Sequence, residues 1–260
     1  MQEFSGKMKI LKKSAPVLGV ALFWALIWHF AAWRTGNALL LPSPAQTLAR
    51  LGELARTPEF WVITAKSLVR VFAGAFFAIL AGTFFAIICA RISLMRRLLS
   101  PIITVVRATP VASFIILALL WIGRGVLPSF IAFLMVFPIV FTNVLEGISQ
   151  TSRELLEMAQ LFCLPTRLKL KRIYLPSVAP YFNSAARSSL GLSWKAGISA
   201  EVLAFSPDSI GQMISQSKNL LETVDLFAWT AVIIILSVGI EFLFSRGIQA
   251  MNKKIGGGAK

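Results

Sequence analysis

The stretch EMAQLFCLPTRLKLKRIYLP, Glu157 to Pro176, decides how the rest of the chain is read. It lies between two strongly apolar segments and carries Arg167, Lys169, Lys171 and Arg172. It opens as a helix (Glu157, Met158, Ala159, Gln160) and turns at Cys163-Leu164-Pro165. It then continues as a second short basic helix that Leu175-Pro176 closes. A helix–turn–helix this polar cannot sit in hydrocarbon, which offers its turn no hydrogen-bond partners. It must stand in water or against another protein, and it reads as a docking device.

The flanking sequence explains why such a device stands out. Of 260 residues, 57% are hydrophobic and 14% charged, with a mean hydropathy of +0.76; soluble domains are roughly a quarter charged. Several apolar runs reach about 20 residues, the length that crosses a bilayer, so an all-α membrane protein is expected. The net charge of +15 would suit nucleic acid if the basic residues gathered on one soluble face. They lie between spans instead, and no nucleic-acid partner is expected. Cys89 and Cys163 fall on separate elements and suggest neither a disulfide framework nor a metal site. His29, the single histidine, sits amid Trp24, Trp28 and Trp33; an interfacial side chain is favoured over a proton relay. The first apolar run is long and no A-x-A-like site follows it, so no cleavable signal peptide is expected.

Taken in order, residues 1–14 form a basic tail and Ala15–Trp33 a first span. Leu41-Pro42-Ser43-Pro44 leads into a short amphipathic helix over Ala45–Arg56, capped by Ser43 with Pro44 at its first position. Further spans are expected at Trp61–Ala90, Pro101–Ile122, from there to Leu145 with a kink at Pro138, at Pro180–Ala204 and at Val224–Phe244. Gly123-Arg124-Gly125 makes a tight turn, and residues 245–260 form a second tail. This places a single membrane domain over 15–244, with the basic loop at about 149–176. An even number of spans puts both tails and the loop on one side. That side carries most of the lysine and arginine, against Arg34, Arg50, Arg56, Arg124 and Lys218 on the other. The positive-inside rule therefore makes the termini and the loop cytoplasmic.

From about Leu40 to Phe244 the sequence resembles the inner-membrane permease subunits of bacterial ATP-binding-cassette (ABC) importers that work with a substrate-binding protein. Their shared mark is E-A-A, three residues, glycine, nine residues, then I-x-L-P, on the cytoplasmic loop before the penultimate span. Here Glu157 and Ala159 take two of the first three places, and Ile173, Leu175 and Pro176 fall at the required spacing. The chain departs from the pattern at Met158 and at Cys163, which stands where the glycine belongs. Within the family it is most similar to the nitrate, sulfonate and taurine branch, through Leu41-Pro42-Ser43-Pro44, Ser67 and Arg70, Arg107 and Pro110, Phe137-Pro138, Leu190-Gly191-Leu192-Ser193-Trp194 and Ala200-Glu201.

The resemblance implies a type I ABC importer permease fold: six transmembrane helices with a cytoplasmic coupling helix between spans four and five. It implies a homodimer in the bacterial inner membrane, two ATPase subunits that bind ATP and Mg, and an extracytoplasmic substrate-binding protein. In this chain Glu157, Met158, Ala159, Cys163, Leu164 and Pro165 would engage the ATPase. The expected cargo is a small anionic solute of the sulfonate, taurine or nitrate kind, or alternatively a vitamin precursor such as a pyrimidine or riboflavin-like compound. No cofactor is expected in the chain itself.

The residues agree that energy must come from outside. No G-x-x-x-x-G-K-[ST] phosphate loop is present, and Gly256-Gly257-Gly258-Ala259-Lys260 has neither its spacing nor its hydroxyl residue. A deep chain of Asp, Glu and His, as in proton-coupled carriers, is also missing. A stand-alone secondary transporter or channel would function without partners, and the cytoplasmic loop motif counts against it; scattered carboxylates with one histidine supply no enzyme constellation. Arg187, Trp194 and Glu201 recur every seven residues on one helix face, within a segment rich in small residues that let helices pack closely. Lys195 is costly in lipid and should face water or protein. Trp194, Lys195 and Glu201 either border the translocation pathway at a two-fold interface, or Arg187 and Glu201 snorkel while Lys195 pairs within the subunit. Ser206–Glu222, with Pro207-Asp208 and Gly211, reads as a reentrant or surface piece; the resemblance implies an outer gate that contacts the binding protein, and a plain loop is the alternative.

Overall fold

The computed structural model describes the backbone of residues 2–256 and the side chains of residues 19–247. The side chains of the first tail, 1–14, and of Lys253, Lys254 and Lys260 lie outside the described residues. Among those described, every regular element is a helix. Chain order gives α1 (Gln2–Thr35), α2 (Pro44–Leu54), α3 (Pro58–Arg91), α4 (Ser93–Ala108), α5 (Val111–Ala118), α6 (Leu127–Ser149) and α7 (Arg153–Leu161). Then follow α8 (Thr166–Lys169), a π-helical turn (Leu170–Tyr174), α9 (Leu175–Ala204), α10 (Ile210–Asn219) and α11 (Thr223–Gly256). Of these, α3, α6 and α11 are long and apolar enough to cross a membrane, and α4 with α5 makes a fourth if the bent pair is one span.

Two expectations need correction. The third span is not one straight helix. Pro110 offers no N–H and pushes the residue before it out of the helical region. Thr109 accordingly sits at φ −83°, ψ 133°, and α5 leaves α4 at 105°. Pro101, expected to open that span, lies inside α4. Nor does Leu175-Pro176 end the basic helix. The backbone stays helical from Thr166 through to α9, and the Leu175 N–H reaches back to the Leu170 carbonyl. The wider π turn absorbs Pro176, whose missing N–H and bulky ring an ordinary helical turn would not accommodate. By contrast α6 runs unbroken through Pro138.

The chain forms two compact units. One comprises residues 1–60 and 213–232. Its α2 starts as expected: Ser43 caps it, with the Gln46 N–H donating to Ser43 Oγ and the Ser43 N–H to Gln46 Oε1, worth about 1 kcal/mol. Arg50 of α2 grips Asp225 with two hydrogen bonds, 2.6 and 2.9 Å, and also holds Glu53. These partners raise the Arg50 pKa and hold the guanidinium charged. The Trp28 indole donates to the Pro42 carbonyl, and Phe60 stacks on Trp229.

The other unit, 61–212 and 233–260, holds the main core. Its seam is a row of small residues on α3, Gly74, Ala78, Gly82 and Ala86, one every fourth position. At Gly74 a Cβ would lie 2.0 Å from the Ser129 carbonyl oxygen, and at Gly82 3.1 Å from that of Phe137. Backbones of α3 and α6 therefore touch directly, as small-residue seams permit. Val136, Val140, Phe141 and Val144 of α6 complete this core with Ala185 of α9. A second cluster joins Ile115 of α5, Leu127 and Ile131 of α6, and Ala196, Ala200 and Ala204 of α9. Thus α9 is fixed along its length, and a segment hangs from each of its ends.

Candidate functional site

At one end hangs the α7 turn. Ser152 begins α7, its hydroxyl accepting from the Leu155 N–H. The helix ends in a paired closure: the Cys163 N–H donates to the Gln160 carbonyl and the Leu164 N–H to that of Ala159, both at 3.0 Å. That pattern requires a left-handed residue between helix and exit, usually glycine. Cys163 supplies it at φ 47°. The departure from the glycine pattern therefore leaves the turn intact and places a side chain in a conformation that costs about 1–2 kcal/mol.

The expected coupling residues divide by direction. Glu157, Met158, Cys163 and Pro165 are exposed and Leu164 is half-buried, but Ala159 is fully buried and faces the protein. Sequence reasoning passed over the residues that project furthest, Leu161 at 83% exposure and Phe162 at 73%. With Leu155 and Met158, both exposed, they recur at three- and four-residue intervals, the spacing of one helix face. These four side chains form an exposed apolar face on a helix too short to cross a membrane.

At the other end hangs the segment from Phe205 into α10. Phe205 is left-handed at φ 50°, and the Ser206 N–H donates to the Glu201 carbonyl. The Glu201 side chain is fully buried. Its Oε2 accepts the Ser67 hydroxyl at 2.8 Å and the Gly211 N–H at 3.2 Å, while Ser67 Oγ accepts the Ile210 N–H. A buried carboxylate needs such donors; Oε1 has none among the described residues. Gly211 is required by this approach, since a Cβ there would come within 2.3 Å of the Glu201 Cβ. Around this knot, Arg70 donates to the Pro207 carbonyl, the Ser206 hydroxyl to that of Arg124, and Lys66 binds Asp208 at 2.6 Å. Lys66 holds the Asp208 carboxyl below its usual range. Asp208 also takes a left-handed backbone, φ 50°. Ser206–Glu222 is therefore neither a plain loop nor free: it carries α10 and is tied to α3 and α9.

The three expected pathway residues do not share a wall. Trp194 is fully buried and its indole donates to the Ile233 carbonyl at 3.3 Å. Glu201 is committed to the knot just described. Only Lys195 is exposed, on a stripe with Ser184, Ser188, Leu192 and Ser199. A turn of 100° per residue sets Lys195 apart from Trp194, and a seven-residue spacing carries no information about which face is buried. Lys195 forms no ion pair among the described residues.

Residues 78–256 match the family described as binding-protein-dependent transport system inner membrane component. The chain is similar to the taurine transport system permease protein of Escherichia coli (strain K12), 26% identical over 91% of this chain and 86% of that protein. It is similar to the riboflavin transport system permease protein of Chloroflexus aurantiacus, 27% identical over 88% and 87%. In fold it matches a chain from the crystal structure of a bacterial alginate ABC transporter in complex with an alginate pentasaccharide-bound periplasmic protein. The TM-score is 0.60 and the identity 16%, covering 95% of this chain and 97% of that one.

Proposed function

Because the chain belongs to the family of binding-protein-dependent transport system inner membrane components, we propose that it is the six-span permease of an ABC importer, driven through α7. The spans are α1, α3, the bent α4–α5 pair, α6, α9 and α11, within one membrane domain and with both termini and α7 in the cytoplasm of a bacterial inner membrane. The supporting observation is the projecting apolar face of Leu155, Met158, Leu161 and Phe162 on a helix closed by a rigid turn. Such a face fits a groove on each of two ATPases, which bind ATP and Mg. Rigid-body motion of α7 then passes into α9, because the helix is continuous from Thr166 onward.

On this reading two copies of the chain meet across the exposed stripe of α9, with Lys195 at the pathway. The tied segment around Asp208 and α10 forms the outer gate, facing a substrate-binding protein. Lys195 favours a small anionic solute of the sulfonate, taurine or nitrate kind; the riboflavin relative supports a vitamin precursor as the second reading. The test is uptake into vesicles. Chain, ATPases and binding protein together should accumulate solute on ATP, and the chain alone should accumulate none. Lys195→Met should cut uptake with assembly intact. Uphill uptake by the chain alone contradicts the proposal, and wild-type uptake by Lys195→Met removes the pathway role.

A further inference from the structure

A cavity of about 140 Å³ opens between α9 and α11, lined by Arg187, Leu190, Glu241, Phe244 and Ser245. It is large enough for a polar group of several heavy atoms, not merely a single water. Arg187 and Glu241 carry opposite charges on this one cavity, yet neither makes an ion pair with the other or with any described residue. Near lipid, where screening is weak, two such charges would close on each other if the helices allowed it. Their charged ends are not in contact here. Glu241 is seated against Gly191, where a Cβ would come 2.9 Å from Oε1, so the missing side chain makes room for the carboxylate.

On the proposed membrane placement of α11, the cavity lies near one edge of the bilayer. Glu241 stands 18 residues beyond the start of α11, about 27 Å along the helix, close to the far edge of a hydrocarbon core about 30 Å thick. The neighbouring Val238, Phe242 and Leu243 are exposed apolar side chains, as on a lipid-facing surface. One turn on, the Arg246 guanidinium lies 4.3 Å over the Phe242 ring, as expected of a side chain reaching for the headgroup layer.

We propose that this cavity binds a zwitterion bearing a primary ammonium and a phosphate. The source is either the ethanolamine phosphodiester headgroup of a membrane lipid or the same group on a free solute. Glu241 takes the ammonium. Arg187 takes the acid group with its planar fork, which suits phosphate oxygens, and the Ser245 hydroxyl donates to the same group. Leu190 and Phe244 cover the methylenes between. A quaternary ammonium is excluded from hydrogen bonding to Glu241 because it has no N–H. A purely anionic headgroup meets Glu241 with like charge. The inference uses the membrane placement of α11 and is independent of how α7 is driven.

The test uses the full chain in detergent, titrated with dihexanoyl phosphatidylethanolamine, its choline and glycerol counterparts, and O-phosphoethanolamine, with retention read by native mass spectrometry. The ethanolamine lipid should bind at least about tenfold tighter than the other two lipids, one hydrogen-bonded charge contact being worth that much. Glu241→Gln should erase the preference, and Arg187→Gln should weaken every phosphate ligand. Ser245→Ala, a mild change, should weaken them by less in a chain that folds normally. Displacement of the lipid by O-phosphoethanolamine assigns the site to a free solute; failure to displace it assigns the site to the lipid headgroup. Equal retention of the three lipids, tighter binding of the glycerol lipid, or an ethanolamine preference that survives Glu241→Gln overturns the proposal.

Discussion

The two ends of α9 use the same backbone device for opposite purposes. Beyond the end that leads into α10, Phe205 turns left-handed and the chain folds back until Glu201, Ser67 and Gly211 satisfy one another in the interior. Before the other end, Cys163 turns left-handed and the chain leaves Leu161 and Phe162 exposed. Both turns accept a costly backbone for a fixed direction. One end is satisfied within the chain, and the other leaves an apolar face exposed. A sequence can conceal that difference, because neither exposure nor pairing is visible in local spacing.

The largest effect expected from breaking this contrast is at the self-satisfied end. Glu201→Ala strands the Ser67 hydroxyl and the Gly211 N–H in the interior, costing roughly 2–6 kcal/mol at about 1–3 kcal/mol per orphaned group. A melting curve in lipid nanodiscs should show it, and an unchanged midpoint would mean the knot is not structural. The second effect belongs to the open end and should leave stability alone. Phe162→Asp should lower ATP-driven uptake about tenfold or more, the burial of a phenylalanine being worth roughly 1.5–3 kcal/mol. The melting midpoint should move by no more than a surface substitution does, about 0.5 kcal/mol.

The third sharpens the comparison of the turns themselves. Cys163→Gly should stabilise by about 0.5–1 kcal/mol, the relief of left-handed strain less the freedom glycine gains when unfolded. Cys163→Val should destabilise, and the pair compared by thermal melting separates backbone strain from lost contacts. The smallest effect is at Asp208. Its carboxyl is held below the usual range by Lys66, so the stabilisation is fully present above the ordinary carboxylate pKa. It fades as pH falls through the lowered value. Both groups are exposed, so wild type and Asp208→Asn should differ slightly near neutral pH and converge only in strong acid.

Much of the architecture was legible because its signals are local. Ser43-Pro44 marks the start of α2 through two adjacent residues, and Cys163-Leu164-Pro165 marks the turn after α7, though not its left-handed backbone. The break at Thr109-Pro110 was equally local, but an apolar run long enough to span hid it. Continuity through Leu175-Pro176 was not legible, since proline marks a helix end more often than a π turn. The seam of Gly74, Ala78, Gly82 and Ala86 could have been found by its four-residue repeat. The Glu201 knot could not, because Ser67 lies 134 positions away and nothing in the sequence says which face of α9 meets α3. The same ignorance placed Trp194 and Glu201 beside Lys195, and left Ala159 among the residues expected to reach outward.

Under the proposed function, this chain draws force through the projecting face of α7. The most direct test of that function is a photo-crosslinking amino acid placed at position 161, and separately at 159, in membranes containing the assembled transporter. Position 161 should capture a nucleotide-hydrolysing subunit, while position 159, where Ala159 is buried, should capture only its own chain. Capture of lipid or self alone from position 161, with the transporter active, would contradict it.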